Sequence, residues 1–450
     1  MSDISYLPHG DADRRAMMDT IGVRSLDELF GMIPAEARVK GALSVIPPSL
    51  TEMELVACVG KLAAKNADGA RFPSFLGAGI YDHFIPAVVD FLSARSEFYT
   101  AYTPYQPEAS QGTLQAIFEY QSMITALTGL DVSNASLYDG ASAAAEAAAM
   151  ARATTRRDRV IVSRAVHPDT RRVLATYLTA SGGTLVECPL SGGRTDLKAL
   201  AGLLGKDVAA IILQQPNFFG CLEEMEDAGK LAKGGGSTFV ASVDPVSLGF
   251  LEPPGAWGAD IAMGEGQSLG NPPCAGGATF GFMAVREGYL RRLPGRVVGE
   301  TTDRKGRRGF VLTLQAREQH IRREKAGSNI CSNQGLMALR GAIYLAAVGP
   351  VGLRRVAGLS VEKAHALAAR IGKINGYASA FPEPFFKEFA VTCPAEPARI
   401  QDALLEKGLL GGYDLGREYP EFKRHLLIAV TEKRTDEEMG RLASVLETLC

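Results

Sequence analysis

Residues 237–267 read STFVASVDPVSLGFLEPPGAWGADIAMGEGQ. The first eight are apolar and β-branched and end on an acid, Asp244, so they predict a buried strand. A passage rich in Pro and Gly follows. ADIAMGE (259–265) then predicts a second strand, and Gln267 stands just beyond it.

Upstream the same rhythm repeats. Strands are predicted at ASLYD (135–139), DRVIVSRAV (158–166), GTLVECPL (183–190) and VAAIILQQ (208–215), with helices at 142–154, 168–181, 196–204 and 223–232 between them. ATFGFMAV (278–285) adds one more strand. Short β-branched runs alternating with helices predict a mostly parallel sheet covered on both faces. Beyond a helix at 334–347, FKEFAVTC (386–393), 398–407, HLLIAVTE (425–432) and 437–448 read as strand, helix, strand, helix. This predicts a helical arm at 1–65, a large α/β domain at 66–330 and a small α+β domain at 331–450. Ser25-Leu-Asp-Glu, Thr51-Glu-Met-Glu and Thr435-Asp-Glu-Glu resemble capping boxes. Such an arm either packs on a partner subunit or belongs to the main domain. The two-domain layout is that of fold-type I pyridoxal phosphate (PLP) enzymes. It is also compatible with other two-domain α/β enzymes.

Composition narrows the class. The 450 residues are 46% apolar and 22% charged, with a net charge of −2. That is ordinary for a globular enzyme and offers no bulk attraction to nucleic acid or anionic membrane. Seven scattered cysteines form no CxxC pair or Cys/His cluster, which suits reduced thiols better than disulfides or zinc. The N-terminus lacks a basic head followed by an apolar run, and no stretch reads as a bilayer span. The expectation is a soluble, cytoplasmic protein with no nucleic-acid, membrane or metal partner.

Four segments carry a more specific signal. They are FYTAYTPYQPEASQGTLQAIFEYQ (98–121), SLYDGASAAAEA (136–147), the run from DPVSLGF to FGFMA (244–284), and TLQAREQHIRREKAGSNICSNQGLMAL (313–339). In this order and spacing they closely resemble the amino-terminal half of glycine decarboxylase P-protein. That half exists as a separate alpha subunit where the enzyme is split. The resemblance implies a fold-type I PLP transferase-like large domain, with a mostly parallel seven-stranded sheet, and a small C-terminal α+β domain. It also implies glycine decarboxylation with aminomethyl transfer to the lipoyl group of H-protein, PLP on a partner beta subunit, and an alpha2beta2 assembly.

A PLP site on this fold needs an anion cradle at a helix N-terminus, an aspartate for the pyridine nitrogen, and a lysine for the Schiff base. Asp139-Gly140-Ala141-Ser142 has the small residues of a cradle. It also reads as an ordinary strand-to-helix turn with a capping Ser142, and this is preferred because Asp139 would repel a phosphate. Asp244 stands where the fold puts its pyridine partner, or else caps the following turn. Gln267 follows at the interval at which active enzymes place the lysine, and an amide forms no imine. Ser142, Asp244 and Gln267 thus outline a vestigial pocket without a catalytic residue.

The contribution of this chain is then expected at the interface. Tyr102, Tyr105 and Gln106, on a Pro-fixed loop, are candidates for lining the partner's active site. The tyrosines read alternatively as interface packing. The loop of Asn271, Gly276 and Gly277 could reach the partner's phosphate or simply make a tight turn. Arg317, Arg322 and Arg323, near Glu318 and Glu324, predict i,i+4 pairs on a solvated helix, or a carboxylate partner across an interface. Lys325 reads as a structural or interface charge, and His83 and His167 carry no assigned role. Two rivals remain: a non-catalytic chain that stabilises its partner or docks H-protein, and a different PLP enzyme, which the absent lysine opposes.

Overall fold

In the computed structural model, residues 8–39, 41, 45, 47–274 and 276–449 are described. The chain divides into two compact units, Met1–Ala67 and Asp68–Cys450.

The first unit holds α-helices Asp11–Ile21 and Glu52–Ala63 and 3-10 turns at Leu26–Phe30 and Ala35–Ala37. The Thr51/Glu54 capping box is formed, with each residue's side chain bonding the other's backbone N–H. Ser25 precedes only a 3-10 turn and its side chain makes no cap bond. Neither α-helix buries a residue, and Leu55, Val56, Val59 and Leu62 form an exposed apolar stripe. Residues 1–7, 40, 42–44 and 46 of the arm lie outside the described residues.

The second unit is built on a seven-stranded sheet. In chain order the strands here are β1 (Val132–Ser133), β2 (Arg159–Ser163), β3 (Thr184–Cys188), the short hairpin β4 (Leu190–Ser191) and β5 (Arg194–Thr195), β6 (Val208–Gln215), β7 (Thr238–Val243), β8 (Ile261–Glu265) and β9 (Gly281–Val285). The large sheet runs β1-β9-β8-β7-β6-β2-β3. All its pairings are parallel except those of β9 with β8 and β1. The stretch 135–139, expected as a strand, makes only one bridge, Leu137 to Gly281. The turn into the helix Gly140–Thr155 begins too soon for a ladder.

Both faces are buried, which is why the strands read as unbroken apolar runs. Val160, Val162 and Ile212 pack under Gly140–Thr155 and Pro168–Ala180. Ile161, Ile211 and Leu213 share a core with residues of Gln111–Thr128, Met225–Gly235 and Gly335–Ile371. The fully buried alanines 143, 144 and 147 let the first of these helices lie close to the sheet.

A hairpin not foreseen in the sequence, β10 (Val297–Thr302) with β11 (Arg308–Thr313), leans on Gln111–Thr128 through Val298, Phe310 and Leu114. The helix expected at 334–347 continues to Ile371, kinked at Gly349-Pro350. By length and composition it is apolar enough to cross a membrane, contrary to expectation. It is broken by the kink, and Ala338, Tyr344, Leu353 and Ala357 join the core. The C-terminal sheet, β12 (Ala378–Ser379), β13 (Glu388–Thr392), β14 (Tyr413–Asp414) and β15 (His425–Ala429), runs β12-β13-β15-β14. Helices Pro397–Glu406 and Asp436–Glu447 cover it, the second with its Thr435/Glu438 capping box formed.

Candidate functional site

Parallel strands converge chemistry at their carboxyl ends. Here Asp244 follows the last residue of β7, β8 ends at Glu265, and the helix Gly140–Thr155 begins beside them. Tyr81, Gly140, His167, Gln214, Asp244 and Glu265 line a cavity of about 280 Å3.

The helix N-terminus is already occupied by the chain's own acids. Asp139 Oδ1 accepts from Ser142 N at 2.7 Å, so Asp139, not Ser142, is the cap. Glu265 Oε2 accepts from Gly140 N at 3.1 Å, and its Oε1 from Gln267 N at 3.1 Å. A Cβ on residue 140 would lie 2.7 Å from Glu265 N, so the close approach requires glycine. Burial pushes the Glu265 carboxyl up to about 7, and the charge of Asp139 adds to this. The donors and dipole that would hold a phosphate thus face two carboxylates.

Asp244 is occupied as well. Its Oδ1 accepts from Val246 N at 3.0 Å, and its Oδ2 lies 2.6 Å from Lys387 Nζ. Lys387 immediately precedes β13 and is 2% exposed. Its ammonium stands 3.6 Å from the Tyr81 ring centroid and 2.9 Å from His83 Nε2. A lysine ammonium can only donate, so His83 Nε2 accepts and Nδ1–H donates to Glu432 Oε2 at 2.7 Å. His83, given no role from sequence, is therefore a relay in a buried network. Next to it, Glu388 accepts from Ala78 N at 2.6 Å and Tyr81 Oη at 2.7 Å, and burial raises its carboxyl to about 7. His167, also without an assigned role, makes a 3.0 Å contact with Ala78 O.

Gln267 is 1% exposed and fully used. Its Oε1 accepts from Tyr81 N at 3.0 Å, and its Nε2 donates to Tyr81 O at 3.1 Å and Asn271 O at 2.7 Å. The amide pins the 78–83 segment where a lysine would stand. These residues do not fit PLP: an amide stands at position 267 in place of the imine-forming amine, the anion site holds carboxylates, and the aspartate holds a lysine.

Tyr102 and Tyr105 sit elsewhere, on the loop before Gln111–Thr128. Tyr102 is 85% exposed and Gln106 is also exposed. The Tyr105 ring lies 5.5 Å from the guanidinium carbon of Arg296 and edge-on to His320. Arg296 was not singled out from sequence, because nothing in GRVVGET marks its burial. Asn271 faces inward, its Nδ2 donating to Leu269 O and Met337 O, whereas Pro272, Pro273, Cys274 and Gly276 of its loop are exposed and Gly277 is half-buried. Ala275 lies outside the described residues. The arginine segment does not form the expected solvated helix. It breaks into turns at Gln315–Arg317, Gln319–Arg322 and Arg323–Lys325. Arg317 donates to Gly295 O at 2.8 Å, Glu318 is buried, and no ion pair among the described residues joins Arg322 or Arg323 to an acid. Lys325 lies on the last turn.

The sequence model of the family described as "Glycine cleavage system P-protein" matches residues 4–446. The chain belongs to this family. A P-protein relative from Geobacillus kaustophilus (strain HTA426), described as "Probable glycine dehydrogenase (decarboxylating) subunit 1", is 51% identical over 441 residues, covering 98% of each chain. A crystal structure described as glycine decarboxylase (P-protein) in inhibitor-bound form is 48% identical. It superposes with a TM-score of 0.91 over 99% of this chain and 100% of that one. At the level of fold alone, a sphingosine-1-phosphate lyase from Burkholderia pseudomallei K96243 matches with a TM-score of 0.67, 15% identity and coverage of 91% and 93%. The large domain is thus a fold-type I PLP-transferase domain, as the P-protein resemblance implied.

Proposed function

We propose that this chain is the non-PLP-carrying alpha subunit of a two-chain glycine dehydrogenase (decarboxylating), with PLP held by a homologous beta subunit. The observation that carries the reading is the self-satisfied pocket. Gln267 replaces the amine, Lys387 neutralises Asp244, and Asp139 with Glu265 fill the helix N-terminus. A group with its own phosphate, pyridine nitrogen and imine bond would have to displace all three.

The partner's site is then where this chain acts. Active sites of fold-type I dimers lie between subunits, so groups on one chain serve the cofactor of the other. Tyr102, Tyr105 and Gln106 line that site, and the Gly276–Gly277 loop approaches the partner's phosphate. Exposed apolar groups support a large covered surface near this loop: Phe84, Phe91, Tyr99 and Tyr102 are all exposed. A groove lined by Val88, Leu92, Met123, Ile343 and Ala347 is apolar as well. Apolar exposure of this kind supports an interface. The assembly is alpha2beta2, cytoplasmic, and passes the aminomethyl group from glycine to the lipoyl arm of H-protein.

Glycine–bicarbonate exchange tests this directly. The purified chain alone should exchange no label, and adding the PLP-carrying chain should restore exchange. Equal exchange by the partner alone would reduce this chain to a bystander and overturn the reading.

A further inference from the structure

Arg296 is a buried cation, 5% exposed, without an ion-pair partner among the described residues. Its guanidinium reaches only neutral oxygens: Asn333 Oδ1 at 3.2 Å, Tyr105 Oη and Cys331 O at 3.3 Å, and Ser332 Oγ at 3.4 Å. Charge-assisted bonds from arginine to carboxylate are typically about 2.7–2.9 Å. These four are long, and Nε has no partner at all. Leaving a buried charge uncompensated is costly, by several kcal/mol in typical cases. Glu318, whose carboxyl feels the charge of Arg296, makes no ion pair with it and approaches His320 instead, at 3.6 Å.

Arg296 lines a cavity of about 190 Å3, together with Tyr102, Tyr120, Ser332 and Asn333. Tyr120 Oη, buried in the same wall, also lacks a partner. An unpartnered Nε on a buried arginine and an unpartnered buried hydroxyl around one small cavity call for a small polar ligand with a negative charge. The cavity runs to the exposed ring of Tyr102.

We infer that Arg296 is the positioning residue for the carboxylate of the amino-acid substrate, held by the guanidinium fork beside Tyr105 and Asn333. The inference rests on the reading that this chain lines its partner's site. A planar fork suits a carboxylate better than a point charge does. The contact exists before the carboxylate leaves as CO2, so it serves binding and orientation more than the chemical step.

The test uses the assembled two-chain enzyme and glycine–bicarbonate exchange, with assembly followed by gel filtration. Arg296→Gln should raise KM for glycine about 10- to 100-fold, the loss expected for one charge-assisted carboxylate contact, with kcat within about threefold. Arg296→Lys preserves the charge and most of the volume, so it keeps the fold. It should give a smaller rise of about 3- to 10-fold. Acetate should inhibit the wild-type enzyme competitively with glycine and inhibit the Arg296→Gln enzyme more weakly. An unchanged KM with weakened assembly would mean that Arg296 pairs with a carboxylate side chain of the partner, which overturns the substrate role. An unchanged KM with intact assembly overturns it outright. Tyr102→Ala separates the layers. If it lowers kcat/KM while Arg296→Gln does not, only the carboxylate assignment falls. If neither matters, the lining role falls with it.

Discussion

Lys387 Nζ lies 2.6 Å from Asp244 Oδ2, with both side chains withdrawn from solvent. The acid just after β7 comes from the large domain and the lysine from the residue just before β13, an inner strand of the C-terminal sheet. The pair therefore ties the two halves of the second unit together across the pocket.

Lys387→Met should be strongly destabilising. It leaves Asp244 buried and unpaired, a change that typically costs about 3–5 kcal/mol. The double variant Lys387→Met/Asp244→Leu removes both charges and should recover part of that loss. Chemical denaturation of the three proteins checks this, and a neutral single variant would show that the pair contributes little.

Gln267→Lys should not create a PLP enzyme. The new amine would still meet Asp244 engaged by Lys387 and a helix N-terminus engaged by Asp139 and Glu265. Incubation of this variant with PLP should give no imine absorbance. A stoichiometric imine would mean that the lysine was the sole missing part.

Stability should fall as pH rises between about 5 and 7. Glu265 and Glu388 both titrate near 7 in the folded chain, against 4.5 when unfolded. Across that window the folded state holds more protons, so its advantage is full below the unfolded value and is lost by the folded one. Each group is worth on the order of a few kcal/mol over that span. The thermal midpoint of Glu265→Gln relative to wild type should therefore improve from pH 5 to pH 8. A constant difference across pH would rule out a raised carboxyl at 265.

Gly140→Ala should lower the midpoint. Its Cβ meets backbone at Glu265, which has no rotamer to give, and overpacking of this kind costs about 1–3 kcal/mol. Asp139→Ala should lower it by about 1 kcal/mol through the lost cap. Scanning calorimetry of both variants measures these losses.

Most of the sheet was readable in advance because its strands are buried on both faces and carry little else but β-branched and apolar residues. Val208–Gln215 is the clearest case. The β10–β11 hairpin escaped because half of it is exposed and its VVGETT and RGFVLT lack that signature. The helix was expected only to 347, yet it resumes beyond the Gly349-Pro350 kink because Leu353 and Ala357 bury against the core. The absent lysine was visible as Gln267. Its consequences were not, since Lys387 reaches Asp244 only through the tertiary fold. Glu265 likewise looked like a strand end until the structure put it on the N-terminus of another helix. The same holds for Arg296, whose burial without an acid is a property of its neighbours and not of its own segment.

The most direct measurement of the central claim is borohydride reduction of the isolated chain in excess PLP, followed by mass analysis of its peptides. The account predicts no PLP adduct in the pocket, at Lys387 or elsewhere around Asp244, while the partner chain treated in the same way is labelled at one lysine. A stoichiometric adduct on Lys387 would contradict it, because Asp244 would then have exchanged its internal lysine for the cofactor.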